Sequence, residues 1–310
     1  MLSEKLVKYQ GVIPAFYACY DKEGHIDPKA VQALTSYFVE KGVKGLYVNG
    51  SSGECIYQSV EDRKCVLENV MAVAKGKLTI INHVACNNTK DSIALAEHAE
   101  RLGVDAIAAI PPIYFRLPDY AVADYWNHIS KAAPTTDFII YNIPQLAGTA
   151  LSPSLYQKML ENKQVIGVKN SSMPVQDIQV FAALGGDRHI VFNGPDEQFL
   201  GGRLMGAAAG IGGTYGAMPE LFLELNHLIA EKELEKAYDL QGQINDIIAL
   251  LVSGHGHMYA IIKEVLRINE GLDIGSVRSP LTELRESDYR ICQEAAGLIR
   301  LTKERFCESR

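Results

Sequence analysis

A lysine closes one of the apolar runs of this 310-residue sequence, in VIGVKNSS at 165–172. At the end of a buried strand, Lys169 would sit in low dielectric. That setting lowers a lysine's pKa and leaves the free amine that Schiff-base chemistry with a carbonyl requires. A lysine that snorkels out to solvent is an equal alternative on this residue alone. FIIYNIP at 138–144 ends a second run with Tyr141. A tyrosine there can relay a proton as general acid or base, although a packing tyrosine with a satisfied hydroxyl is the commoner case. GSSGE at 50–54 offers the hydroxyls of Ser51 and Ser52 with successive backbone N–H groups. Such a turn suits a carboxylate or a phosphate, and a plain strand-to-helix turn is the other reading. NGPDEQF at 193–199 places Asp196 and Glu197 after a further run. They are acceptors suited to polyol hydroxyls, or caps for the next helix. Taken together, lysine, tyrosine and anion-accepting turn form a set for 2-oxo acid chemistry. The lysine condenses with the ketone, the turn holds the carboxylate and the tyrosine moves the proton. That chemistry needs no cofactor.

These residues need a scaffold that gathers strand ends. A phrase recurs along the chain: an amphipathic stretch, a Gly, then a short apolar run ending in polar residues. It occurs at 37–54, 99–114 and 203–216, with Gly42, Gly103 and Gly206 where a helix would take a left-handed cap. Runs at 12–16, 78–84, 138–142, 165–169 and 190–194 bring the candidate strands to eight. Their continuous apolarity fits strands covered on both faces. Helical patterns fill the gaps, from Pro28 to Lys41 with Asp27 as N-cap, and over 59–74, 89–102, 119–132 and 152–160. The alternation predicts an α/β fold, a (β/α)8 TIM barrel spanning residues 1–230. A doubly wound open sheet is the alternative, but it usually carries a GxGxxG or P-loop after an early strand, and neither occurs. Helical patterns at 234–251, 258–268 and 287–305 predict a C-terminal three-helix extension over 231–310, packed most economically on the barrel's outer helices. In such a barrel the chemistry belongs at the C-terminal ends of the strands. Phe192 and Met205 read as ordinary core.

The composition is 47% hydrophobic and 22% charged with 26 Gly and 12 Pro, which excludes disordered, collagen-like and disulfide-framework classes. A net charge of −7 argues against nucleic acid or an anionic membrane as partner. No stretch approaches bilayer-spanning length, and the opening MLSEKLVKYQG has no apolar core or cleavage site, so no signal peptide is expected. Cys19, Cys55, Cys65, Cys86, Cys292 and Cys307 form no CxxC pair or zinc-like cluster. Reduced thiols in a cytoplasm follow, with no metal expected. The HxH of His255 and His257 reads as a turn.

The motifs GSSGE, PPIY at 111–114, YNIP at 141–144, GVKNSS at 167–172, NGPDE at 193–197 and GIGGTYG at 210–216 run in one order along almost the whole chain. In that order and spacing the sequence resembles the pyruvate-dependent class I aldolases and lyases that include dihydrodipicolinate synthase and N-acetylneuraminate lyase. The resemblance implies a (β/α)8 barrel with a C-terminal helical region, usually tetrameric. It implies Lys169 as Schiff-base lysine, Tyr141 as catalytic tyrosine, and Ser51 and Ser52 as the turn holding the pyruvate carboxylate. Tyr114 matches a tyrosine that reaches across a subunit interface. Dihydrodipicolinate synthases carry an arginine at the position of Leu146, where it forks onto a second substrate's carboxylate. The leucine resembles the neuraminate-lyase branch instead. There Asp196 and Glu197, after Gly194, hold the sugar's glycerol hydroxyls, and Ser171 is a further hydroxyl contact. Gly213 departs from that branch, which places a sugar-binding serine there. The implied reaction is reversible aldol cleavage of N-acetylneuraminate to N-acetylmannosamine and pyruvate. An aldolase for another sugar acid, an unusual dihydrodipicolinate synthase and a silent ligand-binding relative are the alternatives.

Overall fold

Apart from Gly11, every strand residue is buried, as continuously apolar strands require. The strands are β1 (Gly11–Pro14), β2 (Gly45–Val48), β3 (Thr79–His83), β4 (Ala106–Ala109), β5 (Asp137–Asn142), β6 (Val165–Asn170), β7 (Ile190–Asn193) and β8 (Ala209–Gly212). They form one parallel sheet in the order β1-β8-β7-β6-β5-β4-β3-β2. Its edges meet where Lys44 N–H donates to Val12 O and Phe16 N–H to Tyr47 O, both at 2.9 Å. The computed structural model describes residues 2–307, and its architecture is a (β/α)8 barrel with C-terminal helices.

The barrel is wrapped by α1 (Pro28–Glu40), α2 (Val60–Ala74), α3 (Thr89–Leu102), α4 (Asp119–Ala132), α5 (Pro144–Ala147), α6 (Pro153–Met159), α7 (Gln176–Gly185), α8 (Phe199–Leu204) and α9 (Pro219–Ala230). Local chemistry sets their ends. Asp27 accepts from Lys29 N–H and Ala30 N–H, and Ser59 with Asp62 forms a reciprocal capping box. Gly42, Gly103 and Gly206 have φ of +71°, +78° and +106°, the left-handed exits expected of them.

Inside the barrel, Ile13, Tyr47, Ile81, Ala108, Ile139, Phe192 and Ile211 form one cluster. Residues next to them in sequence, such as Leu46, Ile80, Ile140 and Val191, pack outward against the helices. A short 3-10 turn, Glu4–Tyr9, was not legible in the sequence. Its Leu6 and Tyr9 join the interior cluster at the N-terminal end, where Tyr9 OH donates to Asp137 Oδ2 at 2.9 Å. The opposite end is left for the site.

One irregularity decides which way Lys169 points. Along β6, Val165 packs outward and Ile166 inward, so strict alternation would turn residue 169 outward. The pairing with β5 slips instead: Phe138 faces Val165 while Ile139 faces Gly167. The extra residue shifts the side-chain phase, so Val168 packs outward and Lys169 faces the interior beside Tyr141. Gly167 is required there, because a Cβ would lie 1.8 Å from the Ile190 carbonyl oxygen.

The C-terminal helices are α10 (Leu234–Leu251), α11 (Met258–Glu270) and α12 (Asp288–Phe306). α10 and α12 lie against α9, as the apolar stripe of α10 requires. Lys41, at the C-cap of α1, and Lys303 of α12 both reach Glu220 of α9, at 2.5 and 2.7 Å. Lys41 also reaches Glu270 of α11 at 3.1 Å. α11 departs from the expected outer packing, because its first turn reaches the barrel mouth through Tyr259. Among the described residues no helix is long and apolar enough to cross a membrane.

The slip at Gly167 gives a direct test. Gly167→Ala is expected to cost about 1–3 kcal/mol, as other forced overpacking does. A lowered urea midpoint at constant slope would report it. An unchanged midpoint would mean that β7 can move aside at Ile190.

Candidate active site

The register places Tyr141 of β5 directly beside Lys169 of β6. Lys169 is 5% exposed, and its Nζ lies 3.8 Å from the Tyr141 ring centroid and 4.3 Å from that of Tyr47. No salt bridge to Lys169 occurs among the described residues; its amine rests on aromatic faces. Tyr141 is fixed edge-on by Tyr47 at 5.7 Å and by His83 at 6.0 Å between centroids. The strand ends carrying the pair are tied together. Asn142 donates to Asn170 Oδ1 at 2.7 Å and accepts from Leu151 N–H at 2.9 Å, and Ser172 donates to Asp177 at 2.7 Å.

His83 and Arg63 complete the wall behind Tyr141. Burial, reinforced by Arg63, holds the His83 imidazole well below its ordinary pKa, so it is neutral. Its Nδ1 lies 3.0 Å from Asn49 O, and its Nε2 faces Ile110 N–H at 3.4 Å. These partners fit a proton on Nδ1. Arg63 is 2% exposed, and its guanidinium donates to His83 O at 2.6 Å and Ala85 O at 2.8 Å. It is a fixed positive charge behind the strand ends, within a chain of net charge −7.

Ser51 and Ser52 open a one-turn 3-10 segment after β2. Gly50 precedes it because a Cβ there would meet the Tyr47 ring at 2.6 Å. Ser52 is buried, and its Oγ lies 2.8 Å from Tyr259 OH. Glu54 leaves the turn with φ +56° and binds Lys263 Nζ at 2.9 Å and Arg278 N–H at 2.8 Å. Desolvation lowers the Lys263 pKa against the opposing pull of Glu54. The pair pins α11 to the turn.

The polar side of the mouth is built around Asp196. Its Oδ2 accepts from both Thr214 N–H and Thr214 Oγ1 at 2.6 Å, so it tethers the loop after β8. The following helices have no side-chain cap from it. Burial pushes its carboxyl up to about 6, partly offset by Thr214 and by Lys169. Glu197 is exposed, so the two acids face different surroundings. Gly194 lies against Ser171, where a Cβ would come within 1.9 Å of Ser171 Oγ. Gly213 offers its carbonyl, which accepts from Tyr17 OH at 2.7 Å.

Other residues singled out in the sequence lie away from Lys169. Tyr114 is 89% exposed with φ +83°, its ring edge-on to Phe115, and it does not enter the site of its own chain. Met205, expected in the core, is 38% exposed, because α8 ends at Leu204 and the chain turns outward through Gly206. His257 caps α11 by accepting from Tyr259 N–H at 3.3 Å, while His255 lies beside Asp288. Sequence reasoning missed Tyr47, His83, Arg63, Tyr17 and Tyr259. The first two are detectable as inward-phase positions in GLYVNG and TIINHV. Tyr259 gives no local signal, since 207 residues separate it from Ser52.

Similarity to known proteins agrees with this layout. A model of the dihydrodipicolinate synthetase family matches residues 8–296. The N-acetylneuraminate lyase of Mediterraneibacter gnavus is 66% identical over 301 residues, 97% of this chain and 96% of that protein. The N-acetylneuraminate lyase of Rhizobium meliloti is 34% identical over 300 residues, 96% of this chain and 98% of that one. A solved structure of a catalytic-lysine mutant of the Ruminococcus gnavus sialic acid aldolase superposes with a TM-score of 0.97 at 64% identity, covering 99% of this chain and all of that one (100%). With the match spanning barrel and site alike, the chain belongs to the dihydrodipicolinate synthetase family.

Proposed function

We propose that this protein cleaves N-acetylneuraminate reversibly to N-acetylmannosamine and pyruvate through an imine on Lys169. The observation that carries the proposal is the Lys169 amine, buried against the rings of Tyr141 and Tyr47 and unengaged by any carboxylate among the described residues. The high identity to a protein named as an N-acetylneuraminate lyase supports the substrate. Leu146, apolar and 65% exposed, supports it over dihydrodipicolinate synthesis, because no guanidinium stands there for a second carboxylate.

The free-amine form of Lys169 attacks the C2 ketone of the open-chain sugar acid, and water leaves to give an iminium. The Ser51 hydroxyl and the backbone amides of Ser51 and Ser52 hold the carboxylate, while the Ser52 hydroxyl stays on Tyr259, with the C3–C4 bond aligned to the iminium π-system. The C4 hydroxyl proton passes to the Tyr141 oxygen as the Tyr141 proton moves to the substrate carboxylate. The C3–C4 electron pair flows to the iminium nitrogen. N-acetylmannosamine leaves as the aldehyde, and the enamine on Lys169 is protonated at C3. Water then hydrolyses the imine to pyruvate and regenerates the lysine. Ser171, Gly194, Asp196, Glu197 and Gly213 line the path of the sugar chain. No step calls for a metal or cofactor. The exposed, strained Tyr114 and its neighbour Phe115, 73% exposed, fit a subunit interface of a homotetramer. The cysteine spacing fits a cytoplasmic enzyme.

The direct test supplies N-acetylneuraminate and measures pyruvate release, then supplies pyruvate with N-acetylmannosamine or aspartate semialdehyde. Turnover of the sugar pair alone is expected, and preferential use of aspartate semialdehyde would contradict the substrate. Lys169→Ala should reduce turnover to background. Tyr141→Phe should lower kcat by about 100- to 10,000-fold, the range of general acid–base contributions. Undiminished cleavage would show that another group moves the proton.

Asp196 adds a pH signature. Its carboxyl, raised to about 6, is the weaker acceptor when protonated, so kcat/KM for the sugar acid should fall as pH drops through about 6. Asp196→Asn keeps an acceptor for Thr214 but cannot titrate. It should lower the plateau and remove that acid limb. An unchanged limb in the variant would assign it to another group.

A further inference from the structure

Tyr259 comes to the site from α11, outside the barrel, and ends beside two barrel turns. Its hydroxyl is 2.8 Å from Ser52 Oγ, and a Cβ on Gly213 would lie 3.1 Å from it and 3.3 Å from Ser52 Oγ. Two hydroxyl protons are shared between Ser52 and Tyr259, and their mutual bond uses only one. No other hydrogen bond joins either hydroxyl to the described residues, which leaves one donor for an occupant of the site. Desolvation holds the Tyr259 phenol protonated, with Tyr141 and Asp196 adding to that effect and Ser52 opposing it. Gly213 adjoins Thr214, which Asp196 tethers, so the hydroxyl lies on the Asp196 side of the mouth. The placement is rigid. Lys263, one helical turn after Tyr259, is locked to Glu54, two residues after Ser52, in an ion pair whose side chains are 2% and 0% exposed.

We propose that the Tyr259 hydroxyl is a substrate-binding, specificity-determining group that donates to a hydroxyl of the sugar portion, from the space that the missing side chain at Gly213 leaves open. This rests on the sugar-acid lyase function proposed above. The Ser51–Ser52 turn takes the carboxylate. Tyr259 lies beyond it toward Gly213 and the Asp196–Thr214 tether, where the polyol chain must run. Glycine at 213 and tyrosine at 259 are thus a matched pair. A side chain at 213 would crowd the phenol, and a phenylalanine at 259 would leave the sugar without its donor.

Condensation kinetics with pyruvate and N-acetylmannosamine, each varied at saturating levels of the other, test the assignment. Tyr259→Phe should raise KM for N-acetylmannosamine about threefold to tenfold, the loss of one hydrogen bond, and leave KM for pyruvate unchanged. Gly213→Ser alone should also raise KM for N-acetylmannosamine, through crowding. The double variant G213S/Y259F should recover toward wild type, as the serine takes the vacated place. An unchanged KM for N-acetylmannosamine in Tyr259→Phe, or an effect confined to pyruvate, would overturn the proposal, as would a double variant no better than the worse single one. Wild-type protein that does not condense N-acetylmannosamine would overturn the function and this assignment together. Active wild type with a silent Tyr259→Phe would overturn the assignment alone.

Discussion

The barrel buries two lysine side chains near its mouth and treats them in opposite ways. Lys263 is neutralised by Glu54 at 2.9 Å, with both side chains almost wholly removed from solvent. Lys169, equally buried, rests on the faces of Tyr141 and Tyr47. An ion pair would commit the amine to an ammonium and occupy its protons. Ring faces hold it in place by a weaker, non-directional attraction and leave its lone pair available once the proton is lost. The rest of the site follows from keeping that amine inside, unpaired and aimed. The slip at Gly167 turns it inward, and the asparagine contacts between β5 and β6 fix the strand ends beside it. His83, held neutral, closes the wall without adding charge.

The buried charges around the site divide the labour. Arg63, bonded to carbonyl oxygens, provides positive potential behind the strand ends. Glu54 and Lys263 carry no chemistry in the proposed mechanism, yet they determine where α11 sits and so where Tyr259 points. The C-terminal helices are therefore more than packing for the barrel's outside. Two of them lie against α9, and the third contributes to the mouth.

Much of this was legible in the sequence because the barrel is built from repeated local signals. Continuous apolar runs, glycine exits and caps such as Asp27 and Ser59 mark strands and helices wherever they fall, and the strand-end rule then selects Lys169, Tyr141 and the Ser51–Ser52 turn. What escaped depends on geometry without a local signature. The inward phase of Lys169 relies on a one-residue slip against β5, which a periodicity count does not register. Met205 looked like core because its apolarity was read without the outward turn at Gly206. Asp196 reads as a polyol acceptor or a helix cap, and neither reading contains its partner, Thr214 across the mouth. Tyr259 meets Ser52 only after the whole barrel has closed between them. The 3-10 turn at Glu4–Tyr9 was obscured by its charged residues, although Leu6 and Tyr9 plug the barrel floor.

Everything in the proposed chemistry depends on Lys169 carrying the substrate carbon. Borohydride reduction in the presence of pyruvate, followed by intact mass and peptide mapping, measures that directly. A single reduced pyruvyl adduct on Lys169, absent from Lys263 and lost in Lys169→Ala, is the predicted result. No stable adduct, or one on another lysine, would contradict the account.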